Sequence, residues 1–88
     1  MNRNYNDPQY EQFRKDVLKR DRFICQMPNC KRKKPLHVHH IKQWSKAYAM
    51  RFDVSNGITL CKYCHKEITG KEHHYEHLFR EIVDGKTI

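Results

Sequence analysis

The stretch "DVSNGITLCKYCH", residues 53–65, places a turn signal, an apolar triplet, two cysteines and a histidine within thirteen positions. Asn56-Gly57 marks a turn, because both residues tolerate backbone conformations closed to most others. Ile58, Thr59 and Leu60 follow as a short strand, and β-branched side chains suit a pleated surface. "CKYCHKEIT" then reads as a cysteine knuckle entering a helix, which Gly70 stops. A strand that short needs a partner. The partner is expected upstream in "LHVHHI", residues 36–41, which begins after Pro35 and holds three of the chain's seven histidines. Together the two segments predict a hairpin across a long connection, "KQWSKAYAMRFDVSNG", with a short helical turn around Ser45 to Met50. Trp44 and Tyr48 are expected to pack under that connection.

Working outward, Asp7-Pro8 suits a helix start, since Asp caps and Pro is tolerated in the first turn. Tyr10, Phe13, Val17 and Leu18 follow at helical spacing, which predicts a helix over about 8–20 with an apolar face. "RDRFICQMPNCKRKK" reads as a cysteine-bearing loop with a Pro-Asn turn and a basic run. A last helix is expected from Glu72 to Val83, with Tyr75, Leu78, Phe79 and Ile82 on its apolar face. The expected fold class is α+β: a single domain over 1–88, its hairpin and knuckle core at 25–69 and a helix on either side.

Only 38% of the 88 residues are hydrophobic and the mean hydropathy is -1.03. A chain this small buries a thin core, and such domains usually need a disulfide or metal staple. No apolar run approaches 18 residues, which excludes a transmembrane helix. The N-terminal "MNRNYNDPQYEQ" has no signal-peptide pattern, so a cytoplasmic, reducing setting is expected. Eighteen Lys and Arg face ten Asp and Glu, a formal charge of +8. That balance favours a polyanionic partner, nucleic acid first. No basic amphipathic helix with an apolar opposite face is evident, so a membrane partner is not expected.

Cys25 and Cys30 are separated by four residues, and Cys61 and Cys64 by two. Two such turns can deliver four thiolates to a tetrahedral zinc. They can also form two disulfides in any of three pairings. A reducing compartment favours the zinc. Structural zinc contributes on the order of 10 kcal/mol to folding in small domains, enough to replace much of a missing core.

Histidine is a mediocre core residue but a good metal ligand and a base near neutral pH. The order His40, Asn56 sixteen residues on, and His65 nine residues after that, interleaves with the two cysteine pairs: His40 and Asn56 lie between them and His65 directly follows Cys64. "HVHHI", "DVSNGITL" and "CKYCH" taken together resemble the HNH endonucleases. With looser similarity in the flanking helices, nearly the whole chain resembles a stand-alone HNH protein of the type common in phages. The resemblance implies a ββα-metal (His-Me finger) core, a hairpin and a helix around one divalent ion. It also implies roles: His40 as general base, His39 and His65 as ligands of the catalytic metal, and Asn56 as the brace of the connecting loop. Cys25, Cys30, Cys61 and Cys64 match the structural zinc seen in many members. The catalytic ion would be Mg2+, Mn2+, Ni2+ or Zn2+.

Two features sharpen those expectations. Adjacent residues of an ideal strand point to opposite faces, so His39 and His40 share a site only if the strand is irregular or ends there. The position one helical turn beyond His65, a further histidine ligand in some members, is Thr69 here. His37 reads as a strand residue on the face of His39, and His73, His74 and His77 as surface or DNA-backbone residues.

The implied activity is metal-dependent cleavage or nicking of DNA with low to modest sequence specificity, in a phage-infected cell, with a packaging partner such as a terminase. A non-catalytic zinc module that binds nucleic acid would also use the cysteines and the charge, but not the histidines and Asn56. Lys31, Arg32, Lys33 and Lys34 become candidates for phosphate contacts, which hold register and carry no sequence information. DNA affinity should therefore fall steeply between about 50 and 200 mM salt, with a log–log slope of about -0.9 per phosphate contact. Neutralising residues 31–34 should weaken binding to all sequences alike. A fluorescence-anisotropy titration that is flat in salt would contradict the basic-surface reading.

Overall fold

The carboxylate of Asp7 accepts the N–H of Gln9 at 2.8 Å and caps α1 (Pro8–Arg20), with Pro8 in the first turn. In this computed structural model, which describes residues 7–42 and 51–86, four further regular elements follow. They are β1 (Leu36–His40), β2 (Gly57–Cys61), α2 (Lys62–Ile68) and α3 (Glu72–Asp84), with a 3-10 turn at Val54–Asn56 before β2. The helical turn expected around 45–50, with Trp44 and Tyr48, lies outside the described residues.

β1 and β2 are antiparallel, with Leu36 opposite Cys61 and His40 opposite Gly57. Directly opposed residues share a face. One face therefore carries His37, His39, Ile58 and Leu60, and the other carries Val38, His40, Gly57 and Thr59. Against the second face α1 packs Tyr10, Phe13, Val17 and Leu18 around Val38. Against the first, Ile58 and Leu60 join Ile41, Ile68, Phe79 and Val83 from α2, α3 and the strand end. The hairpin is thus the middle layer of a three-layer α+β fold, and each strand face has its own core.

Gly57 is where helix and sheet come closest. A Cβ there would stand 2.7 Å from both Phe13 Cζ and Val17 Cγ2, so any side chain would push α1 off the hairpin.

A buried ion pair ties α1 to β2. Asp21, 1% exposed, follows the last residue of α1. Its carboxylate receives Arg20 through Nε and Nη2, both at 2.9 Å, and the backbone N–H of Thr59 at 2.9 Å. Arg20 also donates to the carbonyls of Val54 at 2.8 Å and Gly57 at 2.6 Å. Next to it, the N–H of Gln26 donates to the carbonyl of Thr59 at 2.9 Å, laying the cysteine-bearing loop along the outer edge of β2.

Removing one partner of a buried pair leaves the other charge and its neighbours unsatisfied. Asp21→Ala should therefore cost about 3–5 kcal/mol of stability. Glu76→Ala, which breaks a solvent-exposed pair with Lys42 at 2.9 Å, should cost no more than about 1 kcal/mol. Urea unfolding of the two variants measures the difference. Equal losses would show that the Asp21 hub does not hold the helix to the sheet.

Candidate active site

The four sulfurs come from three places: the loop before β1 (Cys25, Cys30), the end of β2 (Cys61) and the first turn of α2 (Cys64). The loop is shaped by local bonds. Cys25 N–H donates to Arg32 O at 2.8 Å and Cys30 N–H to Met27 O at 3.0 Å, with Asn29 left-handed at φ 67°. At the other side, the Cys61 sulfur caps α2 by accepting the N–H of Cys64 at 3.4 Å.

Among the described residues, these cysteines are the one set of three or more candidate ligands whose atoms all lie within 4.8 Å of one another. All four are free thiols, and Cys30 Sγ stands 3.9 Å from Cys61 Sγ. A tetrahedron with metal–sulfur bonds of about 2.3 Å has edges of about 3.8 Å, whereas a disulfide needs about 2.05 Å. The quartet is thus built to hold one metal ion. Its thiols are not alike. Burial pushes Cys25 up, and burial together with the neighbouring thiols pushes Cys64 up. Burial also opposes ionisation of Cys61, but hydrogen bonds from the Cys64 N–H and thiol and the Tyr63 N–H outweigh it and bring Cys61 down to about 7.

The histidines gather on the other side of the β2–α2 junction. His65 lies in α2 and faces β1. Its Nδ1 meets His37 Nδ1 at 2.9 Å, so one ring carries the shared proton and the other accepts it. The ring of His39, 8% exposed, is centred 5.5 Å from that of His65 and 5.6 Å from that of Phe79. Glu72, at the start of α3, stands beside them. Its own N–H holds its carboxyl below the usual range against some burial, and the N–H of Gly70 (3.0 Å) and the nearby His39 and His65 add to the lowering.

His40 is on the opposite face. The strand stays regular through its last rung, so the adjacent histidines diverge. The His40 ring stacks on Phe13 at 4.8 Å and 14°, and is 3% exposed. Its Nε2 lies 2.8 Å from the carbonyl of Arg51. A carbonyl can only accept, so Nε2 carries the proton and Nδ1 is the basic nitrogen.

Asn56, fully buried, closes the loop between the strands. Its carbonyl oxygen accepts the N–H of Ile41 at 2.8 Å, and its Oδ1 accepts the N–H of Lys42 at 2.9 Å. Arg80 from α3 reaches the same turn through Ser55 O at 2.7 Å.

The structure brings His39 and His65 together, joins the four cysteines, sets Asn56 at the loop closure and turns His40 to the α1 side. Thr69 uses its hydroxyl on His65 O at 2.9 Å. His77 pairs with exposed Glu81 at 2.8 Å, and His73 and His74 pack on each other. Sequence reasoning undervalued His37, although its alternation with His39 was the available signal. It missed Glu72, whose placement depends on the chain reversal at Gly70 (φ 87°). Lys31, Arg32, Lys33 and Lys34 are exposed, with the Arg32 guanidinium 4.7 Å over the Tyr63 ring.

A family model described as HNH endonuclease matches residues 25–71, more than half of the chain. No curated protein matches it. Among solved structures, it is similar to the crystal structure of the HNH endonuclease of the deep-sea thermophilic bacteriophage GVE2 with manganese ion. The TM-score is 0.69 at 26% identity, covering 80% of this chain and 78% of that one.

The cysteine quartet should hold one metal ion per chain as a unit. Cys61→Ser should lose that ion and lower the melting temperature, with DNA absent throughout. Elemental analysis and thermal melts of wild type and variant test this. A metal-free wild type together with a stable Cys61→Ser chain would remove the site.

Proposed function

The chain belongs to the HNH endonuclease family, nucleases that hydrolyse phosphodiester bonds, and on that premise we propose that it cuts DNA with a histidine base and a histidine-held divalent ion. The observation that carries this reading is the meeting of the β1 histidine face with His65 on a hairpin–helix unit.

In the proposed mechanism His39 and His65 hold the catalytic ion, with manganese supported by the GVE2 structure and Mg2+, Ni2+ or Zn2+ as further candidates. When bound, the ion supplies positive charge to the phosphate and to the departing 3′ oxygen. His40 takes the proton of the attacking water on Nδ1, while the Arg51 carbonyl fixes its tautomer and Phe13 its ring plane. Because His39 and His40 diverge, a phosphate bound across the end of β1 would have His39 and His65, which would hold the ion, on one side and His40 on the other. Asn56 holds the loop that carries Arg51 to the strand end. The products are a 5′-phosphate and a 3′-hydroxyl.

The four cysteines hold a structural zinc, for which a soft, tetrahedral thiolate set is suited. The +8 charge and the exposed residues 31–34 support DNA as the substrate, bound through phosphates with low to modest specificity. Similarity to a phage enzyme supports work inside a bacterial host cell, beside a packaging partner such as a terminase.

The two neighbouring histidines should fail differently. His40→Ala should keep metal and DNA binding but lose about 100-fold or more of its cleavage rate. His39→Ala should weaken metal affinity first, so excess metal should restore part of its activity. Plasmid cleavage across a metal titration at fixed pH reads both. Rescue of His40→Ala alone would reverse the roles, and wild-type cutting by both would end the assignment.

A further inference from the structure

The turn that leads into β2 is held by guanidinium groups from two helices. Arg20, the last residue of α1, donates to Val54 O at 2.8 Å and to Gly57 O at 2.6 Å. Arg80, midway along α3, donates Nη1 to Ser55 O at 2.7 Å and directs Nη2 at Asn56 Oδ1, 3.5 Å away. Arg20 belongs to the buried Asp21 hub. Arg80 has a looser setting: its side chain is 30% exposed, and the carboxylate of Asp84 on its own helix stands 3.8 Å away. Arg80 makes its short bond to the turn, so the fork of donors that could grip a phosphate is spent there.

The turn moves as one piece. Asn56 N–H donates to Asp53 O at 2.8 Å, and the N–H and hydroxyl of Ser55 donate to the Asp53 carboxylate at 2.9 and 2.7 Å. Two residues upstream is Arg51, whose carbonyl receives His40 Nε2–H at 2.8 Å. That bond decides the direction of the base. Stacking on Phe13 fixes the plane of the His40 ring. A half-turn about the bond to the ring keeps that plane but exchanges Nδ1 with a carbon, and Nε2 with another. The Arg51 carbonyl selects one of the two orientations, because only a nitrogen can donate to it.

We infer that Arg80 is a positioning residue for His40: by gripping the Ser55 carbonyl it anchors the 53–56 turn to α3, and with it the Arg51 carbonyl that orients the imidazole. This rests on the proposed role of His40 as the base. Glu76, one helical turn before Arg80, holds Lys42 at 2.9 Å. α3 thus grips the chain on both sides of the connection between the strands, although α3 lies outside the segment that carries His40, Asn56 and His65.

The test uses full-length protein loaded with Zn2+ and Mn2+, and plasmid as substrate. The variants are Arg80→Met, Arg80→Lys and Asp84→Ala. A general base contributes about 100-fold or more. Displacing it without removing it should cost part of that, so Arg80→Met should lower kcat about tenfold, with KM for plasmid and Mn2+ affinity unchanged. Arg80→Lys keeps one donor for the Ser55 carbonyl and should recover part of the rate. Asp84→Ala removes only an exposed partner and should keep the wild-type kcat. Proton NMR reads the brace directly. The His40 Nε2–H resonance, identified by its loss in His40→Ala, should exchange with water faster in Arg80→Met than in wild type, and at an intermediate rate in Arg80→Lys. Thermal melts confirm folding, and if Arg80→Met unfolds, Arg80→Lys against wild type carries the same readings. A wild-type kcat in Arg80→Met, a raised KM in place of a lowered kcat, or a slow enzyme whose His40 proton exchanges as in wild type would each overturn the role. So would an equal loss of rate in Asp84→Ala. Wild-type protein that cuts no DNA would end the functional reading, and exchange of the His40 proton would still decide whether Arg80 holds the brace.

Discussion

The buried carboxylate of Asp21 is the point from which this small protein is assembled. It accepts the backbone N–H of Thr59 in the middle of β2 and both arms of Arg20, whose remaining donors go to carbonyls on either side of Asn56. A charge with no water around it is stable only while those partners stay in place. The interaction therefore fixes how far along β2 the end of α1 sits. That position brings Phe13 and Val17 onto Gly57, where a methyl group would already be too much. Slipping the ladder by one residue would exchange the faces of His39 and His40 and expose one core to water. Register, packing and chemistry are one constraint here.

The two candidate metal sites share a single short element. α2 has seven residues, too few to hold a helical shape alone. It is fixed at its start by the Cys61 sulfur and inside by Ile68. Cys64 and His65 are neighbours on it, one aimed at the thiolate quartet and the next at the β1 histidines. Whatever orders the knuckle orders His65, which gives the cysteines a direct bearing on the proposed nuclease site although they lie outside it.

β1 divides its side chains between two jobs. His37 and His39 face α2 and α3, beside Phe79 and Glu72. Val38 and His40 face α1, where the imidazole is part of the aromatic packing. A histidine stacked on Phe13 with its Nε2 on a carbonyl has one tautomer and one orientation, which is useful for a base and costly to change. The loop bonds of Asn56 then keep the Arg51 side of the connection close to the strand end.

Much of this architecture was legible in the chain because it is written locally. Asp7-Pro8 and the spacing of Tyr10, Phe13, Val17 and Leu18 specify α1, and the Cys-x2-Cys knuckle specifies the start of α2. Alternation within "LHVHHI" already put His37 and His39 on one side and His40 on the other. The order of His40, Asn56 and His65, interleaved with two cysteine pairs, was enough to place the chain among HNH endonucleases. Tertiary structure alone decided which groups meet. That His37 touches His65, that His40 rests on Phe13, that Asp21 is buried under Thr59 and that Glu72 turns toward the histidines all depend on the angles between elements far apart in sequence. Those angles are set by side-chain packing on the two faces of one hairpin, and periodicity in the sequence names the faces without saying what will lie against them.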